Sequence, residues 1–377
     1  MSDLTLVLLS AGESSRFKLP VKKQWLRIGY EPLWQFVTNR LKESGRFASI
    51  IITAHPDEVP FMKMISDDTI IPGGKSRQES LHNALKAVIT PYVMVSDIAR
   101  SCVSLELVDA LISHKNIADV IVPALTVSDT IVYNGNTIER DHVLRIQTPQ
   151  LSKTNLLKNA LEHAINSNTQ YTDDSSAIVA SGGSRHTISG DEKAHKITFA
   201  HDLQALSCLK APASAPLVGN GFDIHAFELN KPMVLGGVAI ESDRGFKAHS
   251  DGDVAIHALI DALLGAAGFG DIGTLFPDND VRYKNIDSKK LLQETCTKLQ
   301  QFGYGIHNVD ITIMAQTPRL EAYKKPMRST LGSILKLPIS RINVKATTTE
   351  TLGFIGRKEG VAVMATASLY YFDWTKL

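Results

Sequence analysis

The chain has 377 residues, 44% of them hydrophobic and 21% charged, with a formal net charge of +1. This length predicts two domains, since domains commonly run ~100–200 residues, and the composition is ordinary for a globular protein in solution. The near-neutral balance excludes general attraction to nucleic acid or to an anionic membrane, so any basic site is local.

In chain order, Leu4–Leu9 is a continuous apolar run that reads as a buried first strand. It lacks the basic n-region and cleavage site of a signal peptide. Similar runs follow at Ala48–Thr53, Tyr92–Ser96 and Ala118–Pro123, with helical stretches near Leu33–Glu43, Ser76–Ile89 and Leu105–His114. Strands buried on both faces and separated by amphipathic helices predict an α/β, doubly wound, mostly parallel sheet. Val132–Arg140, with Asn134-Gly135 at its turn, reads as a hairpin arm near residues 130–142. The run Ala211–Pro216 is small, uncharged and Pro-containing, and is the expected linker between domains spanning 1–210 and 217–377. Beyond it come a strand at Gly221–His225, a helix at Asp253–Ala267 and a strand at Val309–Ala315. A helix at Ala322–Leu335 and strands at Ile342–Thr347 and Gly360–Tyr370 complete an α+β pattern. No apolar run approaches the ~20 residues needed to span a bilayer. Cys102, Cys208 and Cys296 are widely spaced and form no CxxC pair, which suggests neither a disulfide framework nor a cysteine zinc site. That usage fits a reducing cytoplasm.

In the first half, the opening strand runs into Ser10-Ala-Gly-Glu-Ser-Ser-Arg16 and then Lys22-Lys23-Gln24. Small residues after a strand let backbone N–H groups approach phosphates, and Arg16 and Lys23 add cations. The pattern is neither GxxxxGK[ST] nor GxGxxG, and alone it also suits a polar surface loop. Gly73-Gly74, followed by Arg77 and Ser80, repeats the glycine–cation theme at a helix start. Asp97 and Arg100 end another buried strand, where ligands of open α/β sheets bind. Asp97 there suits Mg²⁺ beside phosphate oxygens, although a lone Asp at a strand end is often a helix cap.

The second half carries Ala248–Asp278, which sets His249, Asp251, Asp253, His257, Asp261, Asp271 and Asp278 among small apolar residues. Asp223 and His225, two apart on a strand, share one face. With His257 they make a plausible zinc set with an open position, as a Lewis acid requires. Asp261, one helical turn beyond His257, is expected to support that imidazole as a hydrogen-bond acceptor, while an i,i+4 pair without metal is the alternative. Asp251 and Asp253 read as turn and helix-cap residues. Lys345-Ala-Thr-Thr-Thr-Glu350 combines hydroxyls and a carboxylate suited to a diphosphate with a divalent ion, and Arg357 offers a further cation.

From about Leu4 to Leu209 these motifs resemble the cytidylyltransferases that join 2-C-methyl-D-erythritol 4-phosphate to CTP in the non-mevalonate isoprenoid pathway. The matching runs include Ala11, Gly12 and Arg16; Lys23-Gln24; Gly73, Gly74, Arg77 and Ser80; Asp97, Ala99 and Arg100; Thr148-Pro-Gln150; and Thr172–Ala177. The resemblance implies that Arg16 and Lys23 stabilise the CTP phosphates while Ala11, Gly12, Gly73, Gly74, Arg77 and Ser80 bind the nucleotide. Asp97 would hold Mg²⁺ or Mn²⁺. Arg140, Thr172 and Lys196 would grip the substrate phosphate, with Arg140 coming from a neighbouring subunit's arm. Ser14, Lys22 and Ser101 depart from the family, which usually has Gly, Pro and Pro there.

From about Val218 to Tyr371 the chain resembles the zinc-dependent 2-C-methyl-D-erythritol 2,4-cyclodiphosphate synthases, an α+β fold. The matching runs include Gly221–Phe227, AHSDGDVAIHAL, Gly270–Asp278 and Val344–Gly360. By that resemblance Asp223, His225 and His257 bind Zn²⁺, and Glu350 binds a second divalent ion such as Mg²⁺ or Mn²⁺. His249 and Ser250 contact substrate phosphate or diol, Asp271 holds a diol hydroxyl, and Ala315, Thr347 and Thr348 hold the CDP portion. Asn220 and Arg319 stand where His and Lys are frequent.

The two resemblances together imply a bifunctional cytoplasmic enzyme acting on CTP and small phosphorylated polyols. They imply a homo-oligomer in which dimers and trimers close as a hexamer, and association with the pathway kinase that acts between the two steps. The alternative enzyme reading is a generic sugar-nucleotide transferase fused to a metal-dependent phosphatase. A reading from another class is a scaffold that binds the kinase after losing one activity.

Overall fold

The computed structural model describes residues 2–248, 250–277, 280–283 and 286–377. His249 and Asp278 therefore lie outside the described residues. The chain forms two compact units, Met1–Pro212 with Asp373–Leu377, and Ala213–Phe372. The last residues belong with the first unit, where the Trp374 indole donates to the Arg27 carbonyl at 2.7 Å.

The first unit is built on an eight-stranded sheet. Its strands are β1 (Leu4–Leu9), β2 (Ser49–Ala54), β3 (Thr69–Pro72), β4 (Tyr92–Asp97) and β5 (Val120–Thr126). After the arm strands β6 (Ile131–Tyr133) and β7 (Asn136–Ile138) come β8 (Leu144–Ile146), β9 (Gln150–Lys153) and β10 (Arg185–Ser189). The order is β8-β5-β9-β4-β1-β2-β3, with β10 also beside β5. β1 pairs in parallel with both β2 and β4, whereas β9 runs antiparallel between β4 and β5. The sheet is thus mixed rather than uniformly parallel. All six residues of β1 are buried, as a central strand covered on both faces requires.

Four helices cover this sheet in the stretch before the arm: α1 (Leu33–Lys42), α2 (Val59–Met64), α3 (Arg77–Leu85) and α4 (Leu105–Ser113). Two more, α5 (Thr154–Asn166) and α6 (Asp174–Ala180), follow β9. The strand order places β1 between β2 and β4, so successive crossovers leave β1 in opposite directions. That is the switch point at whose carboxyl ends a crevice opens. The arm turn has Asn134 at φ 49° and Gly135 at φ 81°, the conformation of a two-residue hairpin that matches strand twist.

The second unit has a five-stranded sheet. Strand β11 (Leu217–Leu229) is followed by the hairpin β12 (Met233–Leu235) and β13 (Val238–Ile240), then β14 (Arg244–Phe246), β15 (Tyr304–Met314), β16 (Ile342–Thr347) and β17 (Gly360–Tyr371). The order is β14-β11-β17-β15-β16. Helix α7 (Val254–Ala267) lies directly on β11. A Cβ on Gly221 would sit 1.9 Å from the Ala258 carbonyl oxygen, so only glycine permits this approach. Further helices are α8 (Ile272–Leu275), α9 (Ser288–Gln301), α10 (Lys324–Leu335) and α11 (Gly353–Gly356). The opposite sheet face leaves Val218, Phe222 and Met364 exposed.

The expectation of no disulfide is corrected. Cys102 and Cys208 are joined, with Cα atoms 5.7 Å apart across 106 residues of sequence. Tertiary packing, not local spacing, brings them together. Cys296 is free, and burial pushes its thiol up to about 12. Among the described residues no helix is long and apolar enough to cross a membrane.

Candidate active sites

In the first unit the loops after β1 and β4 border a cavity of about 460 Å³ with the segment around Lys196. Ala11, Gly12, Arg16, Lys23, Gly74, Arg77, Ser80, Asp97 and Lys196 all line it. Gly73 sits just behind: a Cβ there would come within 2.4 Å of the Ala11 Cβ, so glycine lets two loops close on each other. The Ser80 hydroxyl donates to the Ser76 carbonyl at 2.8 Å and accepts the Gly74 N–H at 3.0 Å, which holds this turn against the start of α3.

Electrostatics give the cavity its character. Burial, followed by the neighbouring cations Lys196 and Arg16, lowers Lys23 to about 8. Three cations crowded into one half-buried space favour a polyanion that relieves their repulsion. Asp97 is buried, which opposes its ionisation, but Arg77 and Lys196 outweigh this and hold it at about 2. Lys196 Nζ is 2.6 Å and Arg77 Nε is 3.3 Å from its carboxylate. Arg77 is itself clamped by Asp174 through two bonds of 2.6 and 3.1 Å, so part of its role is to brace the carboxylate floor. Arg100 ties that floor to the Lys196 segment, donating to Ala194 O at 2.6 Å and Thr148 Oγ1 at 3.0 Å.

Two expected residues stand apart. Arg140 is exposed on the arm, donating to the Ser128 carbonyl at 2.6 Å, and is not among the residues bordering the cavity. Thr172 is exposed before α6 and likewise does not border it. The family departures are all engaged. Ser14 takes φ 55°, and its hydroxyl links Gln24 to the Lys23 N–H. Lys22 pairs with Glu58 at 2.7 Å and Glu13 at 3.3 Å, and the Ser101 carbonyl accepts Arg40 at 2.8 Å.

In the second unit, strand alternation sets Asp223 and His225 on the face that meets α7, which presents His257. One ligand atom from each of the three residues lies within 4.8 Å of the others. His225 Nε2 is 3.2 Å and His257 Nδ1 is 3.3 Å from Asp223 Oδ2. The remaining ring nitrogens decide the chemistry. His225 Nδ1 is 2.9 Å from the Gly252 carbonyl, which can only accept, so this nitrogen carries the hydrogen. Ser288 Oγ is 2.5 Å from Asp251 Oδ1, so its proton points to the carboxylate and its oxygen accepts from His257 Nε2 at 3.0 Å. Both imidazoles thereby turn lone pairs toward the Asp223 carboxylate. Three converging acceptors need a cation among them, and an oxygen with two imidazole nitrogens suits a divalent metal.

Asp261 does not support His257 as expected: its Oδ1 accepts the Ile272 N–H at 2.7 Å and so holds the turn into α8. Asp251, through Ser288, takes that supporting role, which neither residue's spacing from His257 could reveal. Asp253 caps α7 and also accepts the Gly236 and Gly237 N–H groups at 2.8 and 2.6 Å. Ser250 Oγ lies 3.3 Å from His257 Nε2, next to the metal set. Asp271 caps α8, accepting the Thr274 N–H at 2.8 Å.

Glu350 and Thr348 are joined at 2.9 Å, and Ala315 N–H reaches the Thr347 carbonyl at 3.0 Å, so the two turns at the ends of β15 and β16 form one surface. Register separates that surface from the metal cluster. Asp223 pairs with Val363, Val363 with Ile313, and Ile313 with Ala346. Three strand spacings amount to about 14 Å. Arg357 is exposed and pairs with Glu359 at 2.8 Å.

Comparison with known proteins finds relatives of both halves of the chain. The family model for 2-C-methyl-D-erythritol 4-phosphate cytidylyltransferase matches residues 4–209, and that of the YgbB family matches residues 217–370. The chain is 58% identical to the bifunctional enzyme IspD/IspF of Sulfurimonas denitrificans, covering 100% of this chain and 97% of that one. It is 53% identical to the protein of that name from Nitratiruptor, over 100% of both chains. The solved structure of the bifunctional IspDF from Campylobacter jejuni superimposes with a TM-score of 0.89 at 47% identity, covering 99% of this chain and 100% of that one. With both halves matched along essentially their full length, the chain belongs to the bifunctional IspD/IspF family, a cytidylyltransferase joined to a cyclodiphosphate synthase of the isoprenoid pathway.

Proposed function

We propose the following roles for individual residues in the two reactions. In the first, a phosphate oxygen of 2-C-methyl-D-erythritol 4-phosphate attacks the α-phosphorus of CTP and expels pyrophosphate. The nucleophile is already an oxyanion, so the protein's task is positioning and charge neutralisation. Arg16 and Lys23 face the triphosphate, and their crowding with Lys196 is the observation that favours this. Ala11, Gly12, Gly73, Gly74, Arg77 and Ser80 shape the nucleotide pocket. Asp97 would hold Mg²⁺ or Mn²⁺, which would neutralise phosphate charge. Lys196 and Thr172 hold the substrate phosphate, joined by Arg140 from a neighbouring chain, consistent with its exposed position on the arm.

In the second reaction the 2-phosphate of the CDP-alcohol attacks the β-phosphorus and releases CMP. The convergence of acceptor atoms from Asp223, His225 and His257 carries this assignment. These residues would hold Zn²⁺ and Glu350 a second divalent ion, each polarising phosphate oxygens. His249, Ser250 and Asp271 bind phosphate and diol, Ala315, Thr347 and Thr348 the CDP portion, and Arg357 adds a cation.

The three-strand separation between Asp223 and β16, whose end carries the Glu350 turn, favours a site completed by a second copy of the chain. The exposed Val218, Phe222 and Met364 offer an apolar face for that contact. Dimeric first halves and trimeric second halves close together as six chains. The kinase that acts between the steps is the proposed protein partner. Use of CTP favours a cytoplasmic location.

Two separate assays test the whole reading: pyrophosphate release from CTP, and CMP release from the 2-phosphorylated CDP-alcohol. Both are expected, the second without inorganic phosphate. Inorganic phosphate in place of CMP would instead support a phosphatase.

A further inference from the structure

The loop that presents Arg16 and Lys23 is held from behind by one buried carboxylate. Glu58, at the start of α2, is 1% exposed. Its Oε1 accepts Lys22 Nζ at 2.7 Å, and its Oε2 accepts Trp25 Nε1 at 2.8 Å and Gln24 Nε2 at 3.0 Å. The Gln24 amide nitrogen also donates to the Gly12 carbonyl at 3.2 Å. Its oxygen accepts the Ser14 hydroxyl at 3.2 Å, and that hydroxyl accepts the Lys23 N–H at 3.1 Å.

The direction of each bond follows from the chemistry of its ends. An ionised carboxylate only accepts, so it draws the NH₂ end of Gln24 toward itself. The amide oxygen must then face Ser14. Glu58 thus sets which way Gln24 points, and Gln24 sets the path of the backbone from Gly12 to Lys23.

We propose that Glu58 is a positioning residue for nucleotidyl transfer, acting through Gln24, Ser14 and Lys22 to hold the loop that carries Arg16 and Lys23. The inference rests on assigning the cavity to CTP. It also accounts for Ser14 and Lys22, where the family usually has Gly and Pro: in this chain both are members of the brace. Glu58 does not border the cavity and touches no reacting atom.

The test uses the full chain, whose second half serves as an internal control. Glu58→Gln keeps the shape but removes the charge and lets the Gln24 amide turn. Misplacement of about 1 Å costs on the order of 10²-fold in such chemistry, so kcat/KM for CTP should fall ~10- to 100-fold. The fall should be mainly in kcat, with the KM for the methylerythritol phosphate and the rate of CMP release unchanged. Glu58→Asp, which keeps the charge, should recover part of the loss. Ser14→Ala, at a half-buried loop position, should lower kcat/KM for CTP in the same direction by a smaller factor even if Glu58→Gln does not fold. Unchanged CTP kinetics in Glu58→Gln, or in Ser14→Ala where Glu58→Gln does not fold, would overturn the inference, as would equal losses in the two activities. Lys23→Ala separates the two levels: if it leaves pyrophosphate release intact, the CTP assignment itself fails. If Lys23→Ala is inactive while Glu58→Gln is normal, only the role of Glu58 fails.

Discussion

The two sites of this chain are assembled in different ways. The first collects its cations around one cavity at the switch point of a doubly wound sheet, so that Arg16, Lys23, Lys196 and Asp97 meet within a single unit. The second collects only its metal set. Asp223, His225 and His257 converge, while Glu350 lies in the turn beyond β16, the strand whose Ala346 is three strands from Asp223 in register. Phosphate chemistry can therefore be organised by crowded side-chain cations at one site and by residues suited to divalent ions at the other.

The largest expected effect breaks the second site alone. His257→Ala removes a convergent nitrogen, and CMP release should drop to background with bound metal lost, while CTP-dependent pyrophosphate release continues. Metal analysis beside both assays checks this, and retained CMP release would refute the ligand assignment. Next, Lys23→Ala should cost on the order of 10²–10³ in pyrophosphate release, the scale for one lost charge-stabilising group, and leave CMP release alone. Ser288→Ala frees His257 Nε2 from its acceptor. Metal affinity, measured by competition with a chelator, should weaken ~10- to 100-fold, as for other supporting residues around metal ligands. An unaltered affinity would show that Ser288 does not orient the ring.

The smallest effect is on pH dependence and separates the two sites without disabling either. Lys23 sits at about 8 in the free protein because of burial and its cationic neighbours. It is charged below that value and loses its proton as pH rises through it. The kcat/KM for CTP should therefore fall above about pH 8, and Lys23→Arg should move that fall upward. CMP release should show no such limb from Lys23. A profile that Lys23→Arg leaves in place would assign the limb to another group.

Much of this was legible in the residues. The apolar run Leu4–Leu9 needed only its pattern, and Asp223-x-His225 needed only strand alternation to share a face. What stayed hidden depends on tertiary approach. Glu58 carries no signal in the sequence, because Gln24, Trp25 and Lys22 converge on it only in the fold. Asp261 lies one turn from His257 and looks like its support, yet bonds to Ile272, while Asp251 reaches the ring through Ser288. Cys102 and Cys208 meet across 106 residues. Helices α5 and α9 are written in mixed polar sequence, and their amphipathic faces have meaning only against the sheets they cover.

The central proposal is that the first site gathers Arg16, Lys23 and Lys196 within one chain and borrows only Arg140, whereas the second draws its metal set and Glu350 from two copies. Mixing two inactive chains tests this most directly. His257→Ala retains Glu350, and Glu350→Gln retains the metal set. If each cyclase site spans two copies, subunit exchange at equal amounts should restore about a quarter of wild-type CMP release, because one in four neighbouring pairs is intact. If both variants remain inactive after exchange is verified, the site lies within one chain and the account is contradicted.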